Sequence, residues 1–332
     1  MKLFFTDRKY YNKAKELLSK EIDTSFTLNN VDCFLLIIHG LPIENLDNLC
    51  ISVSKRLNIS LEEAYSLTQQ FNPNSFKDII FYEAINIILN GSYLGNSTDG
   101  KYNTSSWINH SVNEAILASN LALLEDLNPK FAFNYGLLHD YGRKYSHTFS
   151  HVTIGFEKLT DLGLNQEARA CLTHSFINGG RYCCMETAPD DFHLTETGKE
   201  VYDDKDDLTE LLEDELHTDY DDLLNVADLM AMSSGVVSPE IRIKDILTRR
   251  GNLEKANNWK YFLVSLYNLL LKLLNKMNVE SDFKYIKYDE YSLEETKELL
   301  FNISNFFYSY YDKSIDSNLI EEKIKKFNGG IR

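Results

Sequence analysis

The chain of 332 residues is long enough for two domains or for one large domain with additional segments. Its apolar content of 43% supports a sizeable core, and no run approaches the ~18 consecutive apolar residues of a membrane helix. The formal net charge of −16 disfavours long nucleic acids and anionic membranes as partners, because a field of that sign repels polyanions.

The cysteines and the N-terminal residues both indicate in which cellular compartment the protein is expected. Five cysteines are irregularly spaced and form no C-x-x-C pair, which is typical of reduced thiols in a cytosolic protein. The first residues lack the charged start, apolar middle and small-residue cleavage site of a secretory signal. We therefore expect a cytoplasmic protein.

Residues 1–100 predict an N-terminal helical region without a cluster of metal-ligand side chains. Apolar residues recur at helical spacing from Tyr10 to Ile22, and Ser60-Leu61-Glu62-Glu63 has the form of a capping box. Residues 92–108 are rich in Gly, Asn, Ser and Thr, which predicts a loop and a boundary. A second region, 101–235, follows this boundary.

The second region predicts four consecutive helices joined by short loops. Pro129 suits a first helical position, and Gly142 and Gly163 are expected to end helices. Ser150 is the expected cap of the third helix. The predicted helices span about 110–126, 129–142, 151–162 and 165–174.

The remainder of the chain returns to helical patterns after an acidic segment. Residues 186–222 are rich in Asp and Glu, which predicts a solvated loop, with a lid over a site as the alternative. An apolar helix over 223–232 carries Asp228 in its middle. The third region, 236–332, predicts helices at Ser238-Pro239, at Trp259–Lys276 and after a cap at Ser292-x-x-Glu295. Without repeats or alternating strands, the expected fold is all-α.

Six residues of metal-ligand type are distributed over these helices: His110, His139, Asp140, His151, His174 and Asp228. A single histidine is more often a core or surface residue, so the prediction depends on their joint placement. His110 falls at the start of the first predicted helix, and His139 and Asp140 fall at the end of the second. His151 falls at the start of the third helix, and His174 falls at the end of the fourth. Helices joined by short loops are usually antiparallel neighbours, so these ends meet at one end of a bundle. A carboxylate within an apolar helix is costly unless paired or bound, so Asp228 can complete the site.

The residue types of this set predict a metal site. Nitrogen and oxygen donors without thiolates favour Fe, Mn, Zn, Ni or Co over Mg or Ca. Six donors exceed the needs of one four-coordinate ion, so we expect two divalent metal ions with Asp140 as the bridge. Two such ions would lower the pKa of a water molecule between them and polarise a phosphoryl oxygen.

The order of these motifs resembles the HD-domain superfamily, a helical group dominated by metal-dependent phosphohydrolases. Leu138-His139-Asp140-Tyr141-Gly142-Arg143 is similar to its His-Asp motif, although Lys is more usual at the position of Arg143. The segments around His151 and His174 resemble those that supply two further histidines in its dimetal members. Asn225-Val226-Ala227-Asp228 resembles the closing aspartate helix. The His139–His151 interval is shorter than in the family.

This resemblance covers about residues 105–235 and implies an HD-domain helical bundle, here with extra N- and C-terminal helices. It implies a phosphohydrolase, either a phosphodiesterase or a phosphatase, that acts on a nucleotide or another small phosphoester through a metal-activated hydroxide. Asp140 and Arg143 are the expected catalytic residues. Arg143, with Arg181 as a weaker candidate, is expected to bind the substrate phosphate.

Other interpretations remain open from the sequence. Arg143 is equally explained as a helix-end cation that satisfies backbone carbonyls. Some dimetal members of the superfamily hold two irons and activate oxygen, so a di-iron oxygenase has the same ligand set. A non-catalytic helical binding module is the third interpretation, and a homo-oligomer is also left open.

Overall fold

The structure is a computed structural model that describes residues 5–24, 60–62, 104–146, 150–177, 182–183, 211–212, 217–249, 259–316 and 319–329. Over these residues the protein is mainly helical, which confirms the all-α prediction. Most of the N-terminal helical region predicted over 1–100, the residue Arg181 and most of the acidic segment lie outside the described residues. None of the described helices combines the length and apolarity that crossing a bilayer requires.

The described residues contain ten α-helices and two short hairpins. The helices are α1 (Arg8–Leu18), α2 (Thr104–Leu124), α3 (Pro129–Leu138), α4 (His151–Asp161), α5 (Asn165–Thr173), α6 (Asp219–Asp228), α7 (Pro239–Arg249), α8 (Trp259–Lys276), α9 (Leu293–Asp316) and α10 (Leu319–Gly329). A 3₁₀ helix (Tyr141–Lys144) lies between α3 and α4. The antiparallel hairpins pair β1 (Phe176–Ile177) with β2 (Tyr182–Cys183) and β3 (Ala231–Met232) with β4 (Gly235–Val236).

Small residues let α2 and α3 approach closely. A Cβ on Gly136 of α3 would lie 3.1 Å from the Cα of Ala115 and 3.2 Å from the Cβ of Ala118, both on α2. α4 packs along α5, and α3 also contacts α5 and α6. This contact between α2 and α3 therefore fixes the spacing of the side chains that each helix carries near Gly136.

The helix expected to begin at His110 begins earlier, at Thr104. Trp107 is buried, and its carbonyl accepts a hydrogen bond from the Ser111 hydroxyl, 3.0 Å away. Burial of this aromatic side chain outweighs the weak helix propensity of the surrounding polar residues. The prediction of a loop up to residue 108 is therefore wrong, and His110 lies inside α2 rather than at its start.

The helix that carries Asp228, α6, begins and ends four residues earlier than the predicted 223–232. The Thr218 hydroxyl accepts from the Asp221 amide, and the Asp221 carboxylate accepts from the Thr218 amide in return, which forms a capping box. α6 therefore begins within the predicted acidic loop. It ends at Asp228, and a hairpin with Gly235 at positive φ replaces its predicted last turn.

The C-terminal region contacts α6 through α8. α8 has the predicted bounds, is largely buried, and packs on α6 and α9. The predicted capping box of α9 is confirmed, because Ser292 and Glu295 exchange hydrogen bonds of 2.8 and 3.2 Å. At the other end of the chain, α1 packs on α5.

Candidate metal centre

Four side chains from three helices form a first group of donors. Two of them, His110 and Glu114, lie one turn apart on α2, while His139 follows α3 and Asp228 ends α6. Their nearest donor atoms all lie within 4.8 Å of one another. Nε2 of His110 is 3.1 Å from Oδ1 of Asp228, and Nε2 of His139 is 3.0 Å from Oε2 of Glu114.

Three side chains form a second group beside the first. Oδ1 of Asp140 lies 3.0 Å from Nε2 of His151, the first residue of α4, and 3.7 Å from Nε2 of His174, which follows α5. All three side chains are buried. The second group therefore depends on the packing of α4 along α5.

The two groups meet at the consecutive residues His139 and Asp140. The other carboxylate oxygen of Asp140, Oδ2, lies 3.6 Å from Nε2 of His139, so each oxygen of Asp140 faces a different group. The ring centroids of His139 and His174 are 5.0 Å apart. The structure thus brings together the six residues that the sequence singled out and divides them into two adjacent groups.

Backbone carbonyls orient three of the four imidazoles. Nδ1 of His110 donates to the Ala231 carbonyl (3.2 Å), and Nδ1 of His139 donates to the Gly136 carbonyl (2.6 Å). The same nitrogen of His174 lies 3.0 Å from the Cys171 carbonyl. Because a carbonyl only accepts, Nδ1 carries the proton in each ring, and Nε2 of the neutral ring presents a lone pair to the group. Metal-binding histidines typically donate their other ring N–H to a carbonyl or carboxylate in this way.

Burial and neighbouring charges shift the pKa values of the first group in different directions. Burial, followed by the charges of Asp228 and Asp140, raises the pKa of Glu114 well above its usual range. Burial lowers the pKa of His110. Burial opposes the ionisation of Asp228, but His110 in its protonated form and Arg242 outweigh it and hold the pKa of this carboxyl well below its usual range.

In the second group, burial and, after it, the neighbouring His139 lower the pKa of His174 to about 3. Burial opposes the ionisation of Asp140, but Arg143, His139 and His151 outweigh it and hold the pKa of this carboxyl well below its usual range. The group therefore holds an ionised carboxylate next to a neutral imidazole at neutral pH.

The donor atoms fit a bound cation. Both carboxylate oxygens of Glu114, Nε2 of His139 and Oδ1 of Asp140 are buried and form no hydrogen bond of normal geometry within the described residues. Buried polar atoms are costly when their hydrogen-bonding capacity is not used. A metal ion in each group would satisfy the lone pairs that converge there, and the mixed nitrogen and oxygen donors suit Fe, Mn, Zn, Ni or Co.

Two arginines border the groups. Nε of Arg143 lies 3.0 Å from Oδ2 of Asp140, and its side chain is 26% exposed. Nη2 of Arg242, on α7, lies 3.7 Å from Oδ1 of Asp228. Arg181, which the sequence suggested as a second phosphate-binding residue, lies outside the described residues. The exposed edge of the centre is therefore lined by positive charge.

Sequence reasoning missed Glu114 and Arg242. A signal for Glu114 was present, because a carboxylate four residues after His110 lies on the same face of a helix. No comparable signal marked Arg242, whose position depends on how α7 packs beside the end of α6.

The comparisons with known proteins give no family for this chain. No family model matches it, and neither the curated proteins nor the solved structures contain a significant match.

Proposed function

We propose that this protein is a metal-dependent hydrolase of small phosphoesters, such as nucleotides, with two divalent ions at the centre formed by the two donor groups. The observation that carries the proposal is the position of Asp140, whose two carboxylate oxygens face the two groups. A carboxylate placed in this way is suited to bridging two ions. The HD-type order of the motifs in the sequence supports the same reaction class.

The charges of the centre favour an anionic substrate. Glu114, Asp140 and Asp228 supply three negative charges when ionised, whereas two divalent ions would bring four positive charges. Arg143 and Arg242 add positive charge at the edge of the centre. A net positive site in a chain of net charge −16 would attract a phosphate group locally.

Each residue has a distinct part in the proposed reaction. Two divalent ions, when bound, supply an activated water molecule and polarise a phosphoryl oxygen. Asp140 and the histidines hold the donor geometry, and burial keeps bulk water from the donors. Arg143 can turn its guanidinium from Asp140 toward a phosphate and neutralise charge that develops in the transition state.

A metal and substrate panel tests this function. The purified protein is loaded with Mn²⁺, Fe²⁺, Zn²⁺, Ni²⁺ or Co²⁺ and assayed for phosphate or alcohol release from phosphomonoesters, phosphodiesters and nucleotides. We expect turnover with at least one metal and its loss in Asp140→Asn. His217→Asn is the matched control, because His217 pairs with Asp222 outside the two groups.

A second variant separates substrate binding from metal binding. Arg143→Gln should raise the KM for the phosphoester at least about tenfold, since a charge-assisted contact contributes roughly 1.5–3 kcal/mol. Its metal content should not change. Lys244→Gln, a change at an exposed cation on α7, should leave KM unaltered. Protein with both groups filled that turns over no phosphoester, or that consumes oxygen with a non-phosphorylated substrate, would contradict the proposal.

A further inference from the structure

We infer that the two donor groups bind metal ions unequally, because Glu114 is a direct ligand of the first ion. This inference rests on the proposed metal centre and concerns a residue outside the six that the sequence singled out. With the bridging Asp140 counted for both ions, the first ion then has five protein donors and the second has three. The ion in the first group is the tightly held one, and the ion in the second group exchanges and retains an open position.

The distances in the first group match the edges of one coordination polyhedron. Around an ion with metal–ligand bonds of 2.0–2.1 Å, neighbouring donor atoms are about 2.9 Å apart in octahedral geometry and about 3.3 Å apart in tetrahedral geometry. The distances from Nε2 of His110 to Oδ1 of Asp228 and Oε2 of Glu114 are 3.1 and 3.4 Å. The distance from Nε2 of His139 to the same Glu114 oxygen is 3.0 Å.

Hydrogen bonding alone does not explain why Glu114 lies there. His110 and His139 each use the Nδ1 proton for a backbone carbonyl, so their Nε2 atoms present lone pairs to the carboxylate when the rings are neutral. The Glu114 side chain is fully buried, and neither of its oxygens makes a hydrogen bond of normal geometry within the described residues. A cation between these atoms would use the donor capacity of Glu114 and of Nε2 of His139 that no hydrogen bond of normal geometry uses.

The two groups also differ in the number of carboxylates that can neutralise a bound ion. The carboxylates of Glu114 and Asp228 neutralise one divalent ion in the first group. The second group has only Asp140, which is shared with the first group and with Arg143. The second ion therefore keeps more positive charge and fewer protein ligands. An open coordination position is the usual mark of a catalytic rather than a structural metal site, so the phosphate group should bind at the second ion.

A binding titration tests this assignment without measuring activity. Chelator-treated protein is titrated with Co²⁺, and binding is followed through the visible absorption of the bound ion, which reports its coordination. We expect two classes of site in the wild-type protein. Glu114→Gln should weaken the tighter class at least about 100-fold and change its spectrum, since even residues that only support a ligand contribute about 10–100-fold.

Matched variants show whether the effect is specific. Glu125→Gln makes the same change at a second glutamate with a buried side chain, directly after the end of α2, and should leave both classes intact. His151→Asn should weaken only the looser class. Glu114→Asp, which keeps the charge on a shorter side chain, should give an intermediate affinity and provides a test if Glu114→Gln does not fold.

The result that overturns the inference is equally specific. Wild-type affinity and spectrum in folded Glu114→Gln, or one class of equivalent sites in the wild-type protein, would show that Glu114 is not a ligand that distinguishes the two ions. Unequal binding without phosphoester turnover would instead refute the proposed reaction and leave this inference standing.

Discussion

Arg169 and Asp221 form a buried ion pair between α5 and α6, with Nη2 of the arginine 2.7 Å from Oδ2 of the aspartate. Nη1 of Arg169 also donates to the carbonyls of Leu17 and Lys20 at the end of α1, and the Tyr135 hydroxyl on α3 donates to Asp221. One polar network therefore joins four helices. Three of them lead directly into the metal centre: α3 at His139, α5 at His174 and α6 at Asp228. The network therefore holds together the helices that position these three donors.

Arg169→Met should strongly destabilise the protein. Removal of one partner from a buried ion pair leaves an uncompensated charge, which costs about 3–5 kcal/mol. The measurement is the free energy of unfolding in urea at neutral pH. Lys20→Ala removes one partner of the exposed pair with Glu16 and should leave that free energy unchanged within error. Similar stability of Arg169→Met and wild-type protein would show that the network adds nothing to stability.

Because of the Arg169–Asp221 pair, we expect the protein to lose stability in acid. Burial opposes the ionisation of Asp221, but Arg169 and His217 outweigh it and lower the pKa of Asp221 to about 2. Because the folded pKa lies below that of the unfolded chain, the contribution is complete above about pH 4 and is lost as the pH falls toward 2. Unfolding measured from pH 6 to pH 2 should show wild type losing about 2 kcal/mol more than Asp221→Asn. Parallel pH profiles for the two proteins would contradict this.

Glu125 should make the stability of the fold depend on pH with the opposite sign. Burial raises the pKa of this glutamate to about 8, and the Lys276 ammonium, 3.9 Å away, only partly offsets it. The folded state therefore favours the protonated form, and stability should decrease as the pH rises from about 4 to about 8. Glu125→Gln removes this dependence and should stabilise the protein by about 3–5 kcal/mol at pH 8, with little effect at pH 4. Thermal unfolding of both proteins across this pH range is the measurement, and an equal difference at both ends would rule out Glu125 as its source.

Metal binding should stabilise the fold in proportion to the filling of the two groups. A ligand that binds only the native state adds about 2.7 kcal/mol per site at a hundredfold excess over its Kd. Addition of Mn²⁺ or Zn²⁺ should therefore raise the Tm of chelator-treated protein, and Asp140→Asn should lose most of the increase. The control variant His217→Asn should retain it. An unchanged Tm in wild-type protein at saturating metal would indicate that the donors do not hold an ion.

Local signals in the sequence were enough to locate the ends of several helices. Asn128 accepts from the amides of Lys130 and Phe131 at the start of α3, and Gly163 at positive φ follows the end of α4. Such caps depend on a few neighbouring residues, so a sequence pattern reveals them. They placed His139, Asp140, His151 and His174 near helix ends, where the structure also has them.

The remaining features of the centre depend on contacts between distant segments. Glu114 reaches His139 because α2 approaches α3 closely beside Gly136. His110 lies within α2, so the expected meeting of helix ends does not describe its position, although its imidazole still reaches Asp228. α6 begins at a capping box that the acidic composition obscured, and it ends at Asp228, shortly before the β3–β4 hairpin. Tertiary packing decides each of these positions, and a single sequence contains little information about it.

Gly142 provides a test of how the second donor group is held. This glycine lies in the 3₁₀ helix two residues after Asp140, and a Cβ there would overlap the carbonyl oxygen of His151 and lie 2.7 Å from the Gly155 amide nitrogen. Because both contacts are with backbone, a side chain can be accommodated only if the 3₁₀ helix moves away from α4. Such a movement would separate Asp140 from His151, whose donor atoms are now 3.0 Å apart.

Gly142→Ala should therefore reduce both stability and metal binding. Overpacking typically costs about 1–3 kcal/mol, and contact with backbone atoms places this change at the upper end. In a Co²⁺ titration, the affinity of the looser class of sites should fall more than that of the tighter class. His151 belongs to the second group, which forms the looser class, and not to the first. Gly136→Ala is the matched control: its new methyl would meet Ala115 at 3.1 Å, so it should destabilise the protein less and should displace α2 and α3, which position donors of the first group. Equal weakening of both classes in Gly142→Ala would show that the close approach supports the fold as a whole rather than the second donor group.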